Sequence, residues 1–475
     1  MTAFLHGIET QYLNAGGVPI FDTPTTIIGI VGTAPKGAVN EVTLITSDTQ
    51  AAEVFGIRKS GYTLAYAFDA IYDHGGALML VVNVADKVAV VAPADRTFNN
   101  ETERAMIGRQ YVSAVTVTNA AATTTYSPVT DYTLDSDQGI ITRLSTGTIP
   151  KGGTVRVGYS FIDPSLVVPA DIVGGVSVTG KRTGLHALLN ASAKYGLSPT
   201  LVIAPGFSPL SSVSSEMNAI ADRLQAERYI DASIGATFDQ VLAGRASGAA
   251  PVSNFNTANL RALLCYPHLK RFDVDTGAEA LEPYSQRAAG LRAQTDRRFG
   301  FWYSLSNKEI QGVVGVEREL TTSFDDPLSQ NQILNSRGIF TYLQVEGGGL
   351  RSWGNRSAAF PSITTPDNFL VIQRVRDIIA KGIRRASLQF IDLPINGGLI
   401  DAIRVSILAY FQEKTVQGAL LPGSQCLFLP GDNPASAIAK GQLIFTTVVF
   451  PPPPLEKIVD KQVLDISLAA SLIRA

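Results

Sequence analysis

Four histidines, two cysteines and a few glycine- and aspartate-rich turns are the groups in this 475-residue chain with the types needed for catalysis or ligand binding. Acyl transfer needs a nucleophile, a base within hydrogen-bond reach of it and an oxyanion hole. The histidines do not offer a base in such a setting. His6 lies in an extended N-terminal segment, His74 sits at a helix end beside Gly75-Gly76, His186 opens an apolar helix, and His268 follows Tyr266-Pro267 at a strand end. No Gly-x-Ser-x-Gly elbow occurs. The GTAPKG turn at 32–37 lacks the length and the Gly-Lys-Ser/Thr ending of a phosphate loop. Gly347-Gly348-Gly349 has no dinucleotide-site spacing, and Asp325-Asp326 before Pro327 reads as a solvated turn. Cys265 and Cys426 are far apart, and no H-x-x-x-H or C-x-x-C pattern exists, so the expectation is no metal, no cofactor and no enzyme.

One charged stretch differs in kind. Residues 366–386, PDNFLVIQRVRDIIAKGIRRA, place Phe369, Ile372, Val375 and Ile379 at helical spacing. The same stretch carries Arg374, Arg376, Lys381, Arg384 and Arg385 against only Asp367 and Asp377, in a chain of net charge −2. Two readings stand: a solvated face whose last turn complements the helix dipole, or an electrostatic contact with an acidic protein surface.

The elements around these residues read as an α/β core interrupted and extended. Residues 1–20 form an arm in which Ile8, Thr10 and Tyr12 alternate with Glu9, Gln11 and Leu13. Residues 21–95 begin the core with the strand TTIIGIVG, a helix between Ser47 and Gly56, a second helix at 63–73 and the strand ALMLVVNVA. Residues 96–163 lose the helix signals and read as an inserted all-β domain. From 164 to 355 the α/β pattern returns, with the strand PTLVIAPGF, a helix capped by Ser214 or Ser215, and a helix at about 283–299. Residues 356–450 hold helices at 367–381 and 401–417 and strands near 424–430 and 441–450.

The last segment, 451–475, opens with Pro451–Pro454, a stiff spacer of roughly 12 Å. After it come Ile458, Val459, Val463, Leu464 and Ile466, of which Leu464 and Ile466 share one face with Gln462 and Leu468 at period two. A strand held away from its own domain has unpaired backbone groups and needs a sheet edge to join. That edge is expected on another molecule.

Composition agrees. Charged residues make up 17% of the chain, below the typical share of about 25%. Mean hydropathy is +0.15, and proteins near zero net charge tend to associate. No basic excess points to nucleic acid. The start has no basic n-region or continuous apolar core, and the greasiest stretch is broken by Asn83, Asp86 and Lys87, so neither a signal peptide nor membrane insertion is expected.

Several segments resemble the contractile tail sheath proteins of myophages and R-type bacteriocins. HGIETQYLNAGGVPI followed by TIIGIVGTAPKG is similar to the family's opening, and FGIRKSGYTLAYAFDAIYDHGGALMLVVNV to its helix, glycine pair and strand. YGLSPTLVIAPGFS, LRSWGNRS at 350–357 and the closing GDNPASAIAKGQLIFTTVVFPPPPLEKIVDK complete five matches in order. The resemblance implies a subtilisin-like central α/β domain without a catalytic triad, with the inserted β domain on the outer surface. It implies an α+β C-terminal sheath domain in the inner layer, and N- and C-terminal arms that add strands to neighbouring subunits. It also implies stacked hexameric rings forming a helical sheath, contraction that drives a tail tube through the host envelope, and baseplate and tail-terminator partners. The protein would then be a virion component assembled in the host bacterial cytoplasm. Ile8 to Leu13 and Glu456 to Ile466 are the expected exchanged strands. Trp353 and Arg356 are expected at a domain junction, and the basic helix against the tube. The rival readings are an α/β hydrolase with an atypical active site and a static baseplate or capsid component.

Overall fold

The β-branched run near the start becomes strand β1 (Ile27–Gly32), with all six residues buried. The computed structural model describes residues 26–274 and 276–466. The arm residues Ile8, Thr10, Tyr12 and Leu13, together with Leu468, lie outside them. After β1 come β2 (Val42–Ile45), helix α1 (Asp48–Phe55), helix α2 (Leu64–Tyr72) and β3 (Leu78–Asn83). Ser47 caps α1 by accepting from the Gln50 amide at 3.2 Å, and Gly56, at φ 86°, ends it in a conformation that favours glycine.

An all-β unit then interrupts the core. Its long strands are β4 (Val88–Thr97), β5 (Val112–Asn119) and β6 (Thr154–Ile162), paired antiparallel with β6 in the middle. A second sheet of Arg104–Met106, Tyr132–Asp135 and Ile140–Arg143 packs with it around Phe98, Ile107, Val117, Ile141 and Val155. The unit therefore starts at Val88 rather than at 96, because β4 pairs with β6 and not with the core sheet. It is fastened to the core by Lys36–Asp137 at 2.7 Å and by the Ile57 amide donating to Tyr111 Oη at 2.8 Å.

The chain re-enters the core with β7 (Leu201–Ile203), helix α3 (Ser211–Leu224), β8 (Glu227–Asp231), helix α4 (Phe238–Ser247) and β9 (Ala262–Cys265). Helix α5 (Tyr284–Phe299), β10 (Ile339–Gln344) and β11 (Leu350–Trp353) complete it. The strand order is β2-β3-β1-β7-β8-β9-β10-β11, parallel throughout except for the two edges. Residues on both sides of the insertion thus share one sheet, which requires helices on both faces. Ile28 and Ile30 face the core containing α1, α2 and α5, whereas Ile27 and Val31 face the one containing α3. Each such fully buried aliphatic side chain contributes about 1.5–3 kcal/mol. Helix α3 starts before Ser214 and Ser215. Neither caps it, and Ser214 Oγ instead donates back to the Ser211 carbonyl at 3.1 Å.

Helix α6 (Leu370–Ser387), helix α7 (Gly397–Gln417) and a two-stranded hairpin of β12 (Gln425–Leu427) and β13 (Thr446–Val448) make the C-terminal unit. It has its own core of Val375, Ile379, Ile407, Tyr410, Phe411 and Cys426, which Phe301 joins from the segment after α5. No residue between Val449 and Asp465 is helix or strand.

Candidate functional site

Helix α6 is the charged stretch singled out in the sequence, and its five cations go to different places. Arg374 is buried at 2% exposure. Its guanidinium pairs with Asp296 of α5 and, at 3.3 Å, with Glu227 of β8. Asp296 also accepts from Arg292 Nε, one turn earlier on α5, at 2.9 Å. Burial pushes the Asp296 carboxyl up, but Arg292 and Arg374 outweigh it and hold the group below the ordinary carboxylate range. Burial dominates at Glu227 and raises it against the same two arginines. Arg374 is therefore not a surface group. Two facing carboxylates take it into the interior, where it joins the C-terminal unit to the α/β sheet.

The same face of α6 carries Asp377, which receives Arg261 from β9's approach through two bonds of 2.6 and 2.8 Å. Lys381 is half-buried against the Pro199 carbonyl, and burial lowers its ammonium to about 8. Arg376, Arg384 and Arg385 remain exposed. Arg376 pairs with Asp367 at 2.5 Å and Arg384 donates to the Gln225 side chain.

The segment Trp353-Gly354-Asn355-Arg356 follows β11 and leads toward α6. With its amide oxygen turned to the indole, Asn335 accepts from Trp353 Nε1 at 3.1 Å and donates to the Trp353 carbonyl at 3.1 Å. Gly354 has φ 134°, and a Cβ there would lie 2.7 Å from the Asn335 side-chain amide, so the turn requires glycine. Asn355 accepts from Ser304 Oγ, and its carbonyl receives the Leu370 amide at 3.1 Å, fixing the start of α6. Arg356 stacks on Phe369 at 3.8 Å and on Phe360 at 4.8 Å and donates to Asn368. Its Nε donates to Glu456 Oε1 at 2.8 Å, and Nη2 reaches the other carboxylate oxygen. Trp353 and Arg356 thus stand where the α/β sheet, the C-terminal unit and the tail meet.

Glu456 is held, so the free part of the tail begins at Lys457. From there to Ile466 every residue is exposed. Ile458, Val459, Val463, Leu464 and Ile466 are each at least 64% exposed. The segment forms no strand here. Nearby in sequence, β12 and β13 pair only with each other among the described residues.

Chemical groups elsewhere are committed to structure. Ser208 Oγ and Ser285 Oγ both donate to the buried Asp231 carboxylate, at 2.9 and 2.6 Å, and the Ser285 amide donates to it at 2.8 Å. Asp231 so serves as the missing cap of α5, which begins after Pro283. Burial raises its carboxyl, opposed by His268 and the serine donors. His74 donates from Nδ1 to the Ala70 carbonyl at 2.9 Å and accepts the Gln311 amide on Nε2 at 3.2 Å. His186 pairs with Glu216 at 2.9 Å and His268 with Glu317 at 3.6 Å. Among the described residues no group of three or more His, Cys, Asp or Glu side chains could hold a metal ion, and no helix is long and apolar enough to cross a membrane.

The family description "Phage tail sheath protein central domain" matches residues 180–358, and "Tail sheath protein Gp18 domain III N-terminal region" matches 25–84. The tail sheath protein of Burkholderia phage BcepMu is 42% identical over 459 residues, covering 96% of this chain and 95% of its own. The chain belongs to the tail sheath protein family. A putative prophage major tail sheath protein of Pseudomonas aeruginosa is 29% identical over 64% of the chain and 74% of its own length. In fold, the chain is similar to the contracted sheath of the extracellular contractile injection system PVC, at TM-score 0.61 over 98% of this chain and 99% of that one, with 14% identity. The contracted helical sheath of the anti-feeding prophage gives TM-score 0.61 at 15% identity, over 98% of this chain and 100% of that one.

For a tail sheath protein the relevant groups are those that join bodies. Arg356, Arg374 and Arg261 do so within the chain. Sequence reasoning missed Asp296, Glu227, Arg292 and Asp377 as partners. The i,i+4 spacing of Arg292 and Asp296 was a visible signal, but that pattern marks a surface pair as readily as a buried one. It also missed Arg245, whose guanidinium gathers five carbonyls, among them those of Arg337, Ala358 and Phe360, just past the Trp353–Arg356 turn.

Proposed function

We propose that this tail sheath protein polymerises into stacked six-membered rings by lending its tail to a neighbouring copy, and that the polymer contracts to drive a tail tube into a host envelope. The observation that carries the reading is the pairing of opposites at the C-terminus. Five apolar side chains from Ile458 to Ile466 are exposed with no sheet of their own, while among the described residues β12 and β13 form a two-stranded sheet that no other strand joins. Two strands alone are marginal in water, and a third or fourth stabilises them. A contact given from one copy and received by the next is head-to-tail, the kind from which rings and open helical polymers are built. Residues Ile8 to Leu13 supply a second donated strand in this reading.

The C-terminal unit, 356–450, is the acceptor and inner layer, and the insert beginning at Val88 decorates the outer surface. The central sheet, parallel with helices on both faces, is the subtilisin-like element, and it serves as a rigid body. Arg376, Arg384 and Arg385, the exposed cations of α6, face the tube, with Lys381 beside them. Baseplate and terminator proteins bound the polymer, which assembles in the bacterial cytoplasm and works in the virion. The stroke draws its work from the difference in packing between two states of the polymer.

Cross-linking tests the donated strand. One chain carrying Leu464→Cys is mixed with another carrying Thr447→Cys, and a short bismaleimide is added. A covalent dimer containing both chains is the expected product. A cross-link confined to single chains carrying both substitutions would mean that the tail folds back on its own hairpin.

A further inference from the structure

The proline run does not simply project from the body. The Leu421 amide donates to the Phe450 carbonyl at 2.9 Å, and Pro451 is buried. Residues 452–457 then run along one side of a groove of about 1010 Å³, whose other side includes Trp302, Phe324, Trp353 and Phe360. At the far end Glu456 meets Arg356 through two bonds. The strap is therefore held at both ends, at Phe450–Pro451 and at Glu456, and is free only beyond Lys457.

The holding site has the chemistry to be specific for this segment. Prolines enter a bound state with little conformational entropy left to lose, so one ion pair at the end of the run is enough to hold it. Arg356 is positioned independently of Glu456, by the Phe369 and Phe360 rings and by Asn368, so the carboxylate meets a cation already in place. The pair is partly open to water, with side-chain exposures of 21% and 33%. It can form and break without unfolding anything else.

We infer that Arg356, set in place by the Phe369 and Phe360 rings, is a binding site for the Glu456 end of the chain's own Pro452–Glu456 strap, and that this site stores slack for the donated tail. Docked, the tail leaves the body at Lys457. Undocked, the five residues of the strap add about 16 Å of reach at roughly 3.1 Å per residue. Neighbouring subunits can then move by that distance while the donated strand stays in its partner. The slack part of the inference rests on the tail exchange proposed above; the docking part does not.

Limited trypsin digestion of the full, unpolymerised chain reads docking directly. A protease needs several residues on each side of the cut in extended form, so a docked strap protects the Lys457–Ile458 bond but not Lys461–Gln462. Glu456→Gln should raise cleavage after Lys457 about fivefold, the change expected for a good part-exposed ion pair, and leave cleavage after Lys461 unchanged. Equal cleavage at both sites in the parent chain, unaltered in Glu456→Gln, would overturn docking. Slack is read on assembled tails lacking Pro452 and Pro453: they should form tubes and stop short of full contraction, and full contraction would overturn it. Removal of 457–475 separates the two readings, since tubes from that chain would end tail exchange without touching the digestion result.

Discussion

Arg261 and Asp377, 116 positions apart in the chain, form a two-bond ion pair between the edge of β9 and the middle of α6, with Nε to Oδ2 at 2.6 Å and Nη2 to Oδ1 at 2.8 Å. Beside it runs the Arg374 link to Asp296 and Glu227. Both sit on the buried face of one helix, so the C-terminal unit of this tail sheath protein is fixed to its central sheet by charge as well as by packing. A sheath whose rings move as rigid bodies needs that junction to hold while the contacts between copies change.

Replacing Asp377 with Asn keeps the shape and removes the charge that Arg261 meets. Asp377 Oδ1 also accepts from Gln373 Nε2 at 3.1 Å. The expected loss is about 1.5–3 kcal/mol of unfolding free energy, the range for hydrogen bonds to charged groups. Urea denaturation of the unpolymerised chain measures it, and the hydrophobic cores on either side should still form.

Arg374→Ala is the more severe change. It leaves Asp296 and Glu227 buried with less positive charge to face, and breaking a buried pair in this way costs about 3–5 kcal/mol. Arg385→Ala, on the exposed side of the same helix, should stay within about 0.5 kcal/mol of the parent. The two variants compared in one denaturation series show which face of α6 is interior.

Arg384→Glu combined with Arg385→Glu tests the exposed face. Folding and thermal unfolding should match the parent, because neither side chain is buried. Assembly around a purified tube should fail or fall sharply, while polymerisation without a tube proceeds. Normal co-assembly of the double variant would make these arginines a solvated helix end.

His74 gives the pH dependence a sign. It is fully buried, and burial lowers its ring to about 4 from an ordinary 6.5, with Arg287 acting in the same direction and Asp73 against it. The unfolded chain takes up the proton as pH falls through 6.5, while the folded chain stays neutral until about 4. Stability is therefore lost across that window, by about 3 kcal/mol at its lower end. His74→Gln should flatten the slope between pH 6.5 and 4 relative to the parent in urea titrations at a series of pH values.

The sequence made the local signals readable. Ser47 and Gly56 bracket a helix because their side chain and backbone do capping work that any reader of the chain can anticipate. The exposed apolar residues after Pro454 stood out because alternation without a domain around it is rare. What stayed hidden was decided by distance. The sequence shows a helix at about 283–299 but not that Tyr284 through Asp296 is buried without interruption, since Asp73 and Glu282 meet Arg287 and Arg374 meets Asp296 from other segments. Arg374 looked like its neighbours on α6 for the same reason. Only the carboxylates 78 and 147 positions away, at Asp296 and Glu227, distinguish it from Arg385. The start of the insert was missed at Val88 because β3 and β4 are both apolar strands, and only pairing tells them apart.

Electron microscopy of two purified proteins decides whether the donated tail builds the polymer: the full chain, and a chain ending at Glu456 that keeps the Arg356 contact but lacks the donated strand. The full chain should form long tubes of stacked rings, and the shortened one should stay folded without forming tubes. Tubes of normal length from the shortened chain would contradict tail exchange.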